Sequence, residues 1–252
     1  PDQSPRMACE QVLDLLRAMS DPARLVGQEY FGIRPGKALG GIRLPALQGL
    51  AKELGRNHIL AQDLWASGIH EARLLACMVD DPGQVTEEQM ERWAADFDAW
   101  DLCDTACGAL FIKTQFAYRK AEEWSTREEE YVKRAAFAMM AFLAVHDKKA
   151  PDGRFLDFLY IIEQESTDKR NFVKKAVNWA LRQIGKRNSS LNRASIEAAK
   201  AIAGAGGGNA KWIASDALRE LTGEAVQSRL KLKNYGEELT DSQNDNSIKL
   251  GA

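Results

Sequence analysis

The sequence predicts an all-α protein built of stacked antiparallel helix pairs. Three observations predict it. Nearly every segment spaces its apolar residues with the helical period, and no alternating run of β-branched residues is present. Breakers cluster between these segments, at Pro82-Gly83, Pro151-Asp152-Gly153 and Gly206-Gly207-Gly208. Several of the helices also resemble one another at regular intervals.

The first periodic run is LPALQGLAKEL (44–54), with Leu44, Leu47, Leu50, Ala51 and Leu54 on one stripe and Pro45 in the first turn. HEARLLACMV (70–79) follows the same pattern through Leu74, Leu75 and Met78. Thr86, followed by Glu87, Glu88 and Gln89, reads as an N-cap with an acidic first turn for TEEQMERWAADF. Ser125-Thr126 and the acidic run after Arg127 read as another start, leading into YVKRAAFAMMAFLAV. Asp168 is expected to open DKRNFVKKAVNWALRQIGK.

The helices EARLLACMV, VKRAAFAMMAFL, FVKKAVNWALRQI and AKWIASDALREL share an Ala-rich body, and three of them open on Lys or Arg. Arg134 and Lys175 are 41 residues apart, and Lys175 and Trp212 are 37 apart. These are spacings of a two-helix repeat of the HEAT kind, in which each pair buries its apolar face only by stacking on its neighbours. Small Ala positions let inner helices approach. Outer helices such as RFLDFLYIIEQ (154–164) carry bulkier side chains. The expected architecture is a HEAT-like α-solenoid with a concave basic face, one domain over residues 1–235, and a polar flexible tail over 236–252.

A chain of 252 residues with 45% hydrophobic and 28% charged residues can bury a sizeable core. No run approaches the length of a membrane span, and PDQSPRMACEQ lacks the basic start and apolar run of a secretory signal. A cytoplasmic, nucleoid-associated protein without membrane contact is expected. Cys9, Cys77, Cys103 and Cys107 have no zinc-like spacing, and they read as small thiols facing the core. The net charge of −2 hides an asymmetry: residues 168–235 carry fourteen Lys and Arg against five Asp and Glu. A basic region inside a near-neutral chain suits a polyanion, although a solvated face of mixed charge has the same composition.

The sharpest local feature is Trp100-Asp101-Leu102-Cys103-Asp104. A helix starting near Asp101 stacks Trp100 and Asp104 on one face. Trp179 stands in KKAVNWALRQIGKRN, with Arg182 one turn on. Taken singly, each has a plain structural reading. Asp101 suits a helix N-cap, Trp100 and Trp179 suit a core, and Arg134 can pair with Glu130 one turn back. Together they place a carboxylate, two aromatics and a cation on inner helices. That set suits a groove facing a polyanion with exposed bases or sugars.

From YFGI (30–33), the WDxxD run at 100–104, YVKRAAF (131–137) and FVKKAVNWALR (172–182), the chain resembles the DNA alkylation repair glycosylases of the AlkD type over about residues 28–190. The resemblance implies a HEAT-like solenoid that excises positively charged alkylated purines, of the 3-methyladenine or 7-methylguanine type, from duplex DNA. It places Trp100, Asp104, Arg134 and Trp179 in the active cleft. Asp104 would stabilise the oxocarbenium-like sugar and orient water. Trp100 and Trp179 would present π faces to the sugar, and Arg134 would hold a phosphate. Lys133, Lys174, Lys175, Arg182, Lys186 and Arg187 would contact DNA, and Tyr30 or Phe31 would be a third aromatic of the cleft. Beyond the resemblance, Lys211 and Trp212 repeat the basic-aromatic pattern and are expected to extend that DNA-binding face. The base would leave by hydrolysis, without strand cleavage. The protein would be a monomer and need no metal or cofactor. The alternatives are a non-catalytic repeat protein that binds damaged or branched DNA, and a scaffold for protein partners.

Overall fold

The structure, a computed structural model, describes residues 8–24, 33 and 36–232. The described residues are helical throughout, with no strand among them. In chain order the helices are α1 (Cys9–Met19), α2 (Leu44–Leu54), α3 (His58–Ala66), α4 (His70–Val79), α5 (Glu87–Ala95) and α6 (Trp100–Ala109). There follow α7 (Ala117–Trp124), α8 (Glu130–His146), α9 (Asp152–Glu165), α10 (Asn171–Gly185), α11 (Ser189–Ala205) and α12 (Gly208–Leu221). A last helical segment covers 224–232. The polar tail expected over 236–252 lies outside the described residues.

The sequence runs expected at 44–54 and 70–79 coincide with α2 and α4. Thr86 caps α5 by accepting the Gln89 amide at 3.2 Å. Three expected starts are displaced. Ser125 ends α7, its hydroxyl donating to the Glu122 carbonyl at 2.7 Å, and α8 begins only at Glu130. Asp168 lies ahead of α10, where it accepts the Arg170 amide at 2.9 Å. Asp101 is not a cap, because α6 already begins at Trp100 after Ala99. Ser125 and Asp168 meet the local demand of a turn, a role these residues fill as readily as capping.

The chain divides into two compact units, meeting at Met139 and Met140 within α8. In the first unit α4 packs on α3 and also on α2 and α6. A helix thus touches its partner and the next helix but one, the contact pattern of stacked helix pairs. Hydrogen bonds between successive pairs join residues 28 to 33 positions apart, such as Cys103 to the Tyr131 carbonyl and Trp124 to Glu91. Leu47, Leu64, Leu75, Trp93, Leu102, Phe111 and Trp124 fill the core. Trp65 lies flat on Trp93, with ring centroids 4.0 Å apart, and its indole donates to Asp96 at 2.8 Å. Cys103 and Cys107 are fully buried and donate to backbone carbonyls of α8.

The second unit repeats the pattern with a longer period. Here α11 packs on α12 and α10, and also on α9, while α10 reaches α12. Lys186 to Glu220 and Asn178 to the Ile213 carbonyl span 34 and 35 residues. Phe155, Phe158, Val177, Leu181, Ile184 and Leu221 are buried among Ala176, Ala180, Ala214 and Ala217. Gly185, the last residue of α10, faces Leu221 and Ser195 closely. A Cβ there would lie 2.6 Å from Leu221 Cδ2 and 3.0 Å from Ser195 Cβ. Overpacking costs about 1–3 kcal/mol, and better helix propensity returns up to about 1 kcal/mol. Gly185→Ala is therefore expected to lower stability by about 1 kcal/mol, read by urea denaturation. A raised midpoint would contradict the close approach.

Candidate active site

Trp100 and Asp104 share one face of α6, and Arg134 reaches them from α8. Arg134 is only 7% exposed. Its Nε donates to Asp104 Oδ1 at 2.9 Å and its Nη2 to Asp104 Oδ2 at 2.8 Å. This is the fork geometry in which arginine matches a carboxylate best. The same guanidinium lies 5.8 Å from the centre of the Trp100 ring. Burial pushes the Asp104 carboxyl above the ordinary aspartate value, against the pull of Arg134. Burial also works against the Arg134 charge, but Asp104 outweighs it and holds the guanidinium more firmly charged than usual. Two parallel charge-assisted bonds mark the pair as ionised at neutral pH.

The structure therefore assembles Trp100, Asp104 and Arg134 as one unit, and it gives Arg134 a partner that sequence spacing did not. The expected partner Glu130 is one turn away on the same helix. Asp104 is instead 30 residues back, on the neighbouring helix of the stack. Trp179 belongs to the second unit, where its ring meets Phe142 edge-on at 4.9 Å. Both Trp100 and Trp179 keep part of their surface exposed. Trp65, Trp93 and Trp124 are by contrast buried core residues. Among the described residues no three His, Cys, Asp or Glu side chains group as metal ligands would.

Residues 12–221 match the family described as the DNA alkylation repair enzymes. The chain belongs to the DNA alkylation repair enzyme family. An uncharacterized protein of Listeria innocua is 23% identical over 190 residues, which cover 74% of this chain and 83% of the relative. A solved structure described as a new family of proteins related to the HEAT-like repeat DNA glycosylases, with affinity for branched DNA structures, superimposes with a TM-score of 0.69. It is 21% identical and covers 77% of this chain and 83% of its own. That likeness shows the fold: the all-helical chain is HEAT-like.

The sequence missed what braces the site of this alkylation repair protein. His70, the first residue of α4, is 2% exposed, and its Nε2 lies 2.9 Å from Asp101 Oδ2. Asp101 thus ties the first turn of α6 to α4. Glu71, 1% exposed, accepts the amides of Leu39 at 2.9 Å and Gly40 at 2.7 Å. Asp98 accepts the Gly36 amide at 2.9 Å, and the Lys37 carbonyl accepts the His70 amide at 2.8 Å. Two acidic side chains, Asp98 and Glu71, and the His70 backbone amide so fasten the stretch 36–40 beside the WDxxD turn, while the His70 imidazole holds Asp101. An isolated His and a Glu in an amphipathic helix gave no signal of this. The length of chain between partners hides it.

Burial works against the His70 charge, but the hydrogen bond it donates to Asp101, with Glu71 and Asp98 near, raises the imidazole above its ordinary value. The raised value means that the folded state binds the proton more tightly. This stabilisation is full below the unfolded value of about 6.5, and it is lost as pH rises through the folded value. Unfolding free energy, measured by urea denaturation from pH 5.5 to 9, is expected to fall across that window. In His70→Gln the fall should shrink; an identical profile would exclude the brace as its source.

The expected DNA-contacting cations separate into four kinds. Lys175 and Lys211 are exposed. Lys174 lies 4.9 Å over the ring of Trp212, itself 41% exposed, so these two form one basic-aromatic patch in the second unit. Arg182 and Lys186 share Glu220, each at 2.5 Å. Lys133 is 7% exposed and Arg187 9% exposed. Arg187 donates to the carbonyls of Ala144 at 3.1 Å and Ala150 at 2.9 Å, with its guanidinium 4.3 Å over Phe155. That arrangement fixes loops of the second unit instead of extending a cation into solvent. Tyr30 and Phe31 lie outside the described residues.

Proposed function

We propose that the protein is a DNA glycosylase that hydrolyses the N-glycosidic bond of positively charged alkylated purines in duplex DNA. The observation that carries this reading is the Trp100–Asp104–Arg134 cluster in a DNA alkylation repair enzyme. An alkylated purine with a positive ring leaves without a general acid. The developing charge sits on the sugar, and a carboxylate held rigidly beside a partly exposed indole suits it. Asp104 is rigid because both oxygens are engaged by one planar donor, so little reorganisation is needed as charge develops. Arg134 then acts through Asp104, as a positioning residue; the phosphate-holding role falls to exposed cations such as Lys175 and Lys211. No covalent lysine step is needed, so an abasic site with an intact strand is the product.

A second reading has its own support. The similar solved structure is described with an affinity for branched DNA, and a carboxylate locked in a fork with arginine also serves as a purely structural tie. In that reading the chain binds branched DNA without cleaving a bond. The two are separated by incubating the protein with methylated duplex DNA and chromatographing released bases, beside gel shifts on four-way junctions and linear duplex. Release of 7-methylguanine or 3-methyladenine supports the glycosylase. Junction binding without any released base supports the binder and sinks the glycosylase.

A further inference from the structure

In the second unit α10 and α12 meet along one ridge of side chains. Lys174, Asn178, Arg182 and Lys186 follow one another at intervals of four along α10 and its C-terminal end. Trp212, Asp216 and Glu220 do the same on α12. Arg182 and Lys186 each meet Glu220 at 2.5 Å, and Arg182 also lies 3.7 Å from Asp216. Asp216 is engaged by Arg219 as well. Asn178 donates to the Ile213 carbonyl at 3.3 Å. At the remaining rung the pattern changes: the Lys174 ammonium stands 4.9 Å over the centre of the Trp212 ring. An indole occupies the place where the charged rungs beside it present an acid.

This rung keeps its positive charge. The carboxylates of the ridge, Asp216 and Glu220, are matched by Arg182, Arg219 and Lys186. Among the described residues no carboxylate lies within ion-pair distance of Lys174, or of its exposed neighbours Lys175 and Lys211. The ring itself faces water: Trp212 is 41% exposed, the most of the six tryptophans. Its backbone is nevertheless fixed. Ala210 and Ile213 beside it are buried, Asn178 holds the Ile213 carbonyl, and Asn209 donates to the Asp168 carbonyl at 2.9 Å. A flat ring with two side-chain torsions on a fixed backbone loses little freedom when another ring stacks on it.

We propose that Trp212 is a stacking platform for an unpaired base of DNA, and that it makes the protein prefer forked or gapped DNA over continuous duplex. In a continuous duplex both faces of each base are covered by its neighbours. An indole stacks on a base only where a fork, a gap or a strand end uncovers one. Every base has such a face, so the contact selects structure and not sequence. Lys174, Lys175 and Lys211 supply the positive charge that a strand passing over the ring requires. An apolar partner surface fits less well, because covering the ring would bury unmatched ammonium groups beside it. The proposal rests on the reading of the chain as a DNA-binding protein, which both functions considered above share.

The test uses the full chain. Affinities for a forked duplex, a gapped duplex and a fully paired duplex of equal length are measured by fluorescence anisotropy. Trp212→Ala is expected to weaken binding to fork and gap by about fivefold or more, with a much smaller loss on the paired duplex. Trp212→Leu keeps apolar bulk without a flat face and should behave like Trp212→Ala, whereas Trp212→Phe should retain most of the preference. A thermal melt checks that each variant is folded, and the Leu and Phe variants carry the comparison if Ala destabilises α12. 2-Aminopurine at the unpaired position reads the stack directly: wild type should quench its fluorescence, and Trp212→Leu should restore most of it. An equal loss on all three DNAs would make Trp212 a general contact and overturn the proposal. An unchanged preference in Trp212→Leu would overturn it too. Unchanged DNA binding with a loss of self-association in gel filtration would assign the ring to a contact between copies instead. If wild type binds paired and forked DNA alike, the proposal fails while DNA binding stands. If wild type binds no DNA at all, the reading of the chain as a DNA-binding protein fails first.

Discussion

Asp104→Asn is expected to abolish base release and to cost the protein about 3 kcal/mol of stability. The catalytic loss should be on the order of 10²–10³-fold or more, the range seen when one preorganised charge-stabilising group is removed. The stability loss follows from the buried fork. Asn retains the shape of Asp104 but not its charge, so Arg134, 7% exposed, remains charged without its counter-ion. A loss of activity alone would therefore be ambiguous. The double variant Asp104→Leu/Arg134→Met resolves it, because replacing both members of a buried pair by apolar groups is often neutral for stability. A stable, folded and inactive double variant assigns the loss to the Asp104–Arg134 pair and not to unfolding. Base release that survives in either variant would exclude Asp104 from the chemistry. Activity is read at a temperature where circular dichroism shows each variant folded.

Lys120→Met is expected to lower stability by about 2 kcal/mol at pH 7, and the deficit should close in acid. Lys120, on α7, is 4% exposed at its side chain. Its ammonium lies 2.7 Å from Glu87, 2.8 Å from Glu91 and 2.7 Å from Glu123. Arg119 adds bonds to Glu87 and Glu123, Arg127 adds bonds to Glu91 and Glu129, and the Trp124 indole donates to Glu91 at 2.8 Å. The partners are about a third or more exposed, so solvent screens part of the gain. Removing the ammonium leaves carboxylates facing one another over a buried methionine.

The pH dependence follows from the direction of the shifts. The Arg119 fork, helped by Lys120, holds Glu87 down to about 2, and Arg127 holds Glu129 down to about 2. Burial alone would raise Glu91, but Lys120, Trp124 and Arg127 together bring it below its ordinary value. Carboxylates with lowered values stabilise the fold above the unfolded value of about 4.3 and lose that contribution as pH falls toward the folded value. Wild type therefore gives up the Lys120 contribution between roughly pH 4.3 and pH 2, and the variant has less to give up. Urea denaturation at pH 7 and pH 3 reads the difference. An equal deficit at both values would mean that Lys120 contributes through packing and not through charge.

The helices of α2, α4 and α5 were legible almost to the residue, because periodicity, a first-turn proline and a Thr cap are local signals. The starts of α8 and α10 were not, since Ser125 and Asp168 serve turns instead of caps. The WDxxD residues were legible as a group, whereas the role of Asp101 was not. Its carboxylate meets His70, 31 residues away. The six tryptophans looked alike in sequence. Three are buried, while Trp100, Trp179 and Trp212 keep exposed surface. Arg187 read as one more backbone-tracking cation, yet its donors hold two carbonyls of its own unit.

The sequence by itself determined the helices, their Ala-rich stacking faces, the repeat, and the residue types that mark a DNA alkylation repair enzyme. All of these follow from spacing within a turn or within a repeat, which the chain carries locally. Only the tertiary structure decided which charges meet: Arg134 with Asp104, His70 with Asp101, Glu71 with the 39–40 amides, and Lys186 with Glu220. The physical reason is distance along the chain. A buried charge takes whichever counter-charge the stacking of successive helix pairs brings within hydrogen-bond reach, and that partner lies about one repeat away. Helical period fixes the face a side chain occupies, but not what the neighbouring helix places opposite it.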